Sequence, residues 1–193
     1  MIIGITGYAR SGKDTVGSEL VSLSAGKQGF LRYAFADPLK LGIKIMYDFT
    51  NDQLWGGSKD IVDVRYGITP RQILQYYGTE VAQFIVPQHF PEIGKLIGRN
   101  HWAKRFEYEY KKTKINYVIT DVRFPHEVET IKKLGGIMLR VDRDAVKPSG
   151  DLHESEALID SLEVDHIIKN NSTKDSLYAK IESLYAHMTW SRA

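Results

Sequence analysis

The chain has no cysteine in its 193 residues. Disulfides and thiolate metal sites are therefore excluded. An excess of either charge is lacking too: 26 Lys and Arg stand against 24 Asp and Glu, a net charge of +2. So small a surplus does not imply nucleic-acid binding through bulk electrostatics. No apolar stretch approaches the ~20 residues that a membrane-spanning helix needs. There is no internal repeat and no low-complexity tract. Met1 runs directly into an apolar segment, Ile2-Ile3-Gly4-Ile5, which leaves no room for a signal peptide. The expectation is a soluble, cytoplasmic protein. Its length suits one domain with a sizeable core and room for an inserted subdomain.

What is present is an alternation of short apolar runs with helical patterns, the mark of a parallel sheet covered by helices. Residues 1–6, 30–35, 116–120, 137–141 and 166–168 are the expected strands. Helices are expected from Thr15 onward, over 126–134, over 153–162 and over 173–188. Residues 37–110 hold one short strand candidate, Gln83-Phe84-Ile85-Val86. Otherwise they read as helices broken at Gly56-Gly57, Pro70, Pro87 and Pro91. A helical insertion between two core strands suggests a substrate-binding subdomain. The polar stretch Asp142 to Asp151, with Pro148 and Gly150, reads as a mobile loop or lid.

The segment Gly7-Tyr8-Ala9-Arg10-Ser11-Gly12-Lys13 has the G-x-x-x-x-G-K spacing of a phosphate-cradling loop, the Walker A motif. It follows the first strand and opens a helix, the context that the motif requires. Gly7 and Gly12 permit a tight turn that points successive N–H groups at one anion. The helix N-terminus adds partial positive charge. Lys13 brings a mobile full charge for the β- and γ-phosphates. The next residue in such loops is usually a Ser or Thr that ligates Mg²⁺; here it is Asp14, with Thr15 after it. Asp14 is either a metal ligand or a helix cap, and both readings stay open.

Other residues fall where an open parallel sheet binds ligands, at the carboxyl ends of its strands. Asp121 can hold Mg²⁺ or its waters, or cap a turn. Arg123 can reach a second phosphate, or form a surface ion pair. Asp37, followed by Lys40, can orient an acceptor phosphate or open a turn. Thr69-Pro70 is a good helix start, and Arg71 then sits in the first turn, where a cation opposes the helix dipole. That penalty hints at anion binding. Gln75, Gly78, Thr79 and Glu80 form a polar cluster, and Trp102 can stack on a base or pack in the core. Arg140 and Arg143 flank the start of the lid and suit bidentate phosphate contacts. His153-Glu154-Ser155-Glu156 opens a helix, and its acids favour that end; it is weak evidence for zinc.

The pieces Arg10-Ser11-Gly12-Lys13-Asp14-Thr15, Ala34-Phe35-Ala36-Asp37-Pro38-Leu39-Lys40, Thr69-Pro70-Arg71, Gly78-Thr79-Glu80, Thr120-Asp121-Val122-Arg123-Phe124-Pro125 and His153-Glu154-Ser155-Glu156 together resemble the phage-type deoxynucleoside monophosphate kinases. These are P-loop nucleoside monophosphate kinases. Val164 to Asn170 also resembles dephospho-coenzyme A kinases. The resemblance implies an α/β fold, a three-layer P-loop sandwich on a five-stranded parallel sheet. Its core would be 1–36 and 115–193, with a helical insertion over 37–114 and a lid over 142–156. It implies transfer of the γ-phosphoryl group of ATP to a deoxynucleoside monophosphate, with Mg²⁺. The partner is that small molecule, with no nucleic acid and no membrane, and a homodimer is allowed for. Gly7, Arg10, Ser11, Gly12, Lys13, Asp14, Thr15, Arg140 and Asn170 would hold ATP. Lys13, Asp121, Arg123 and Arg143 would act on the transferring group, and Asp14 and Asp121 on the metal. Asp37, Lys40, Arg71, Gln75, Gly78, Thr79, Glu80, Trp102, Arg123 and Glu154 would bind the acceptor. Two departures stand out. Gln83 takes a place where relatives often carry Arg, and residues 87–99 intervene before Trp102. The competing functions are another small-molecule kinase, such as a dephospho-coenzyme A kinase, and a P-loop ATPase or nucleotide-binding regulator.

Overall fold

A computed structural model describes residues 1–25, 29–146 and 158–190. Strand β1 (Ile2–Thr6) is buried along its whole length. A strand that is apolar on both faces belongs inside a parallel sheet covered on both sides. It lies there, in a sheet of five parallel strands ordered β2-β3-β1-β4-β5. The others are β2 (Leu31–Tyr33), β3 (Tyr117–Ile119), β4 (Ile137–Asp142) and β5 (His166–Lys169). The helices are α1 (Lys13–Leu23), α2 (Asp37–Tyr47), α3 (Asn51–Trp55), α4 (Pro70–Gln75), α5 (Val86–His89), α6 (Pro91–Ile97), α7 (His101–Thr113), α8 (Pro125–Lys133) and α9 (Lys174–Trp190).

Strand alternation sorts the side chains into two layers. Ile3, Ile5, Val118, Leu139, Val141 and Ile168 meet Val16 and Leu20 of α1 and Leu177, Ile181 and Met188 of α9 in one buried core. Ile2, Gly4 and Met138 point the other way, toward α8. A Cβ on Gly4 would stand 2.7 Å from Ile131 Cδ1 of that helix and 2.5 Å from Met138 Sδ, so glycine leaves room here for both side chains. Farther along this face Tyr33 packs on Phe106 of α7 and on Tyr117, with ring centroids 4.9 and 5.7 Å apart. Helices on both faces make three layers.

The chain divides into two compact units, Met1–Ala34 with Phe106–Ala193, and Phe35–Arg105. The second unit has its own buried core of Ile43, Phe49, Leu54 and Ile73. The strand expected at 83–86 is absent: Tyr76–Ile85 is a π-helix that continues into α5. A short apolar run cannot by itself separate strand from buried helix. Of the helix expected over 153–162, the described part contains a single 3₁₀ turn, Ile159–Ser161. Most of the expected lid, from Lys147 on, lies outside the described residues, as do His153 and Glu154.

The connections place the functional edge. From β1 the chain moves outward to β2 and returns through β3, then crosses β1 to β4 on the other side. The order reverses at the carboxyl end of β1, where residues 7–13 begin, and α/β sheets bind ligands at such points.

Candidate active site

The loop after β1 turns on two glycines at backbone angles that other residues rarely adopt. Gly7 has φ +141, and a Cβ there would stand 2.5 Å from the Val141 carbonyl oxygen. Gly12 caps α1 at φ +104, with Asn170 Nδ2 2.6 Å from its would-be Cβ. Asn170 donates from that nitrogen to the Ser11 carbonyl at 2.8 Å, so the residue after β5 braces the loop from the side. Arg10 is exposed in the left-handed region at φ 61, and its carbonyl accepts from Arg143 Nη1 at 3.4 Å. Lys13 folds back to donate from Nζ to the Tyr8 carbonyl at 2.6 Å. Two buried hydroxyls at this loop, Thr6 Oγ1 and Ser11 Oγ, have no hydrogen-bond partner among the described residues. A buried polar atom without a partner is costly, and at a helix N-terminus a bound anion is the natural way to satisfy it.

Asp121 and Arg123 follow β3 on the same edge. Their segment is pinned by the Val122 N–H to the Ile5 carbonyl at 3.2 Å and the Thr120 N–H to the Tyr33 carbonyl at 3.2 Å. Glu127, buried in the first turn of α8, accepts the N–H groups of Arg123 and Phe124 on one oxygen at 2.7 and 3.0 Å. Burial, with the neighbouring Asp121 charge as a smaller cause, pushes its carboxyl up to about 8. Asp14 is exposed in the first turn of α1 and pairs with Arg32 of β2, Nη2 to Oδ1, at 2.7 Å.

Arg140 and Arg143 differ in setting. Arg140 is mostly buried, with Nε 3.0 Å from Asp142 Oδ1 and Nη1 3.3 Å from the Asp160 carbonyl. Arg143 is exposed and, with Asp144, Asn170, Asn171 and Ser172, lines a cavity of about 310 Å³. The Tyr8 hydroxyl donates to Asp160 Oδ2 at 2.9 Å. Burial, and next that bond, hold the phenol above its ordinary range.

The remaining candidates lie in the second unit. Asp37 accepts the Trp55 indole N–H at 2.8 Å, and Lys40 lies 3.8 Å from the same carboxylate oxygen. Thr69 and Gln72 form a reciprocal cap at the start of α4, which puts Arg71 in the first turn. Arg71 grips Asp60 with both arms of its guanidinium, Nη2 to Oδ2 at 3.0 Å. Gln75 and Glu80 differ little in setting from Thr79, all three lying at or near the surface. The Gly78 carbonyl accepts twice, from Gln83 Nε2 at 3.0 Å and Trp102 Nε1 at 2.9 Å. Gln83 is buried, so this departure from the relatives' Arg has a local structural use. Trp102 also packs against His101, whose imidazole is held below its ordinary pKa by burial and then by Arg105.

A family model described as deoxynucleotide monophosphate kinase matches residues 61–181. A protein of Acanthamoeba polyphaga mimivirus, provisionally named a deoxynucleotide monophosphate kinase, is 34% identical over 188 residues, covering 95% of each chain. The chain belongs to the deoxynucleotide monophosphate kinase family. The deoxynucleotide monophosphate kinase of Escherichia phage RB69 is 31% identical over 59% of this chain and 43% of that protein. The solved shikimate kinase of Aquifex aeolicus superposes with a TM-score of 0.48 at 16% identity, over 98% of this chain and 99% of that one. As a member of that kinase family, the protein is a phosphotransferase.

In this kinase the sequence alone did not point to Arg32 or Glu127. Their partners lie far off along the chain or run through backbone, so no spacing announces them. Among the described residues no group of three or more His, Cys, Asp or Glu side chains is placed to hold a metal. Of the carboxylates at the carboxyl edge of the sheet, Asp14 and Asp121 are the two that follow the β1 loop and β3. Mg²⁺ usually takes one or two carboxylates with water and substrate phosphates, so this sparse set fits a metal that arrives with a nucleotide. No described helix is long and apolar enough to cross a membrane.

Proposed function

We propose that this kinase transfers the γ-phosphoryl group of ATP to the 5′-phosphate of a deoxynucleoside monophosphate, giving ADP and the diphosphate. The observation that carries this reading is the glycine cradle of residues 7–13 sharing one sheet edge with Asp121 and Arg123, in a chain of this family. An acceptor phosphate oxygen bonds to the γ-phosphorus as the bond to the β,γ-bridging oxygen breaks, and ADP leaves with that electron pair. Little covalent work falls to the protein; it positions two polyanions and offsets their charge.

The loop N–H groups and Lys13, swung away from the Tyr8 carbonyl, hold the β- and γ-phosphates, and Ser11 Oγ gains its missing partner there. Asp14 and Asp121 would hold Mg²⁺ or its waters, and the metal would supply positive charge to offset that of the phosphates. Arg123, at the sheet edge, grips an acceptor phosphate oxygen; Arg71, in the second unit, can exchange the Asp60 carboxylate for an anion of similar two-oxygen geometry. Arg143 approaches the transferring group, and Asn170 borders the space for adenine. Asp37, Lys40, Gln75, Thr79, Glu80 and Trp102 serve the acceptor nucleoside.

The test is a coupled assay with ATP, Mg²⁺ and each of dTMP, dGMP, dCMP and dAMP, beside ribonucleotides, dephospho-coenzyme A and no acceptor. Diphosphate forms only with particular deoxynucleotides. Lys13→Ala lowers kcat about 10²- to 10³-fold, the scale for removing one preorganised charge stabiliser. ATP loss without an acceptor, or activity on dephospho-coenzyme A alone, would sink the proposal.

A further inference from the structure

Asp14 puts a carboxylate where such loops usually carry a hydroxyl, and the fold supplies that carboxylate with a cation. Arg32 projects from edge strand β2, with Nη2 2.7 Å from Asp14 Oδ1 and Nε 3.4 Å from Thr120 Oγ1. Thr120 is buried and immediately precedes Asp121. One guanidinium thus spans from the first turn of α1 to the strand end that carries the second carboxylate. Its reach is fixed by the sheet, since Arg32 stands opposite Val118 in the β2–β3 register.

The pair is accessible: the Arg32 side chain is 50% exposed and that of Asp14 75%. An exposed ion pair is held weakly, and a divalent cation with phosphate oxygens around it outcompetes it. A Ser or Thr at position 14 would leave Arg32 no charge to meet. The two residues make sense together. Resting on the ATP and Mg²⁺ reading above, we propose that Arg32 is the counter-ion of Asp14 in the nucleotide-free kinase. Mg²⁺ entering with the nucleotide displaces it, so Arg32 sets the magnesium concentration at which the enzyme loads.

The experiment is calorimetric titration of Mg²⁺ into the full chain with ADP at fixed concentration, with ADP binding in EDTA as reference. The forms compared are wild type, Arg32→Ala, Arg32→Lys, Asp14→Asn, and Asp14→Asn with Arg32→Ala. Arg32→Ala lowers the Mg²⁺ midpoint about two- to five-fold, the scale of an exposed pair. Arg32→Lys restores part of the difference. In the Asp14→Asn background Arg32→Ala changes nothing. Equal midpoints in wild type and Arg32→Ala overturn the inference, as does an undiminished shift when Arg32→Ala is added to Asp14→Asn. Those outcomes leave nucleotide binding intact and count against Arg32 alone, whereas ADP that binds under no condition defeats the nucleotide reading and this inference together.

Discussion

Glu127 shows how one side chain can hold the segment after β3 in shape. It is buried, and the Arg123 and Phe124 N–H groups converge on one of its oxygens at 2.7 and 3.0 Å. Its folded pKa is about 8 against an ordinary value of 4.5. A raised carboxyl pKa means that the folded state keeps a proton which the unfolded chain has released. The stability so gained is complete below the unfolded value and is lost as pH rises through the folded one. We expect Tm to fall from pH 5 to pH 8, with a limiting slope of about 1.4 kcal/mol per pH unit. Glu127→Gln keeps a carbonyl acceptor and cannot ionise, so it should flatten the profile. Glu127→Ala leaves both N–H groups unsatisfied, at about 1–3 kcal/mol for each buried donor. A wild-type Tm that rises over this range, or the same slope in Glu127→Gln, would falsify the assignment. Residues such as Lys13 and Asp121 could be named from the sequence because motif spacing and strand ends locate them. Arg32 could not, since it depends on partners that only folding brings near, Thr120 being 88 positions away. Glu127 could not, since its partners, though only three and four residues away, are backbone N–H groups, which no residue type marks.

At the scale of elements, the strand–loop–helix unit at residues 2–23 depends on Gly7. Its φ of +141 and the Val141 carbonyl 2.5 Å from a would-be Cβ leave no tolerant neighbour to move. Gly7→Ala should cost about 2–3 kcal/mol from backbone strain and forced displacement. It should also weaken ADP binding, measured by calorimetry beside thermal unfolding. Unchanged stability and affinity would show that the loop has another conformation at hand. The central strands β1 and β3 were legible because each is a compact apolar run, as a sheet covered on both faces requires. The edge strands β2 and β5 are largely exposed, and showed as apolar residues beside polar ones. The π-helix Tyr76–Ile85 was not legible, because its apolar run has no decisive period. Its Gly78 carbonyl is fixed by Gln83 and by Trp102, the latter 24 residues away. Trp102→Phe removes one of those two donors while keeping an aromatic ring. We expect a loss of about 1 kcal/mol, read as a lower denaturant midpoint. No change would mean that the indole N–H finds a better partner than Gly78 in solution.

At the scale of the whole molecule, the chain divides into two compact units, each with its own buried apolar cluster. One core uses only residues from Met1–Ala34 and Phe106–Ala193, and the other only residues from Phe35–Arg105. The break that residues 35–105 make in the first unit is narrow. Tyr33 and Phe106, which flank its two ends within the first unit, have ring centroids 4.9 Å apart. A short Gly-Ser linker therefore suffices to close the first unit without residues 35–105, and loop-closure entropy for so short a span is small. All of residues 7–13, Asp14, Asp121, Arg123, Arg143 and Asn170 remain in that shortened chain, while Arg71, Asp37 and Trp102 are gone. The shortened protein should fold, with cooperative loss of its circular-dichroism signal on heating. ADP at about 100 times its Kd should raise its stability by about 2.7 kcal/mol, as for any ligand that binds only the folded state. Transfer to a deoxynucleoside monophosphate should fall below detection, because the proposed acceptor contacts have been removed with the insertion. If the shortened chain still phosphorylates a deoxynucleotide at a rate comparable to that of the full chain, the second unit is not where the acceptor is held. The assignments of Arg71 and Trp102 then fall, while those at the sheet edge stand.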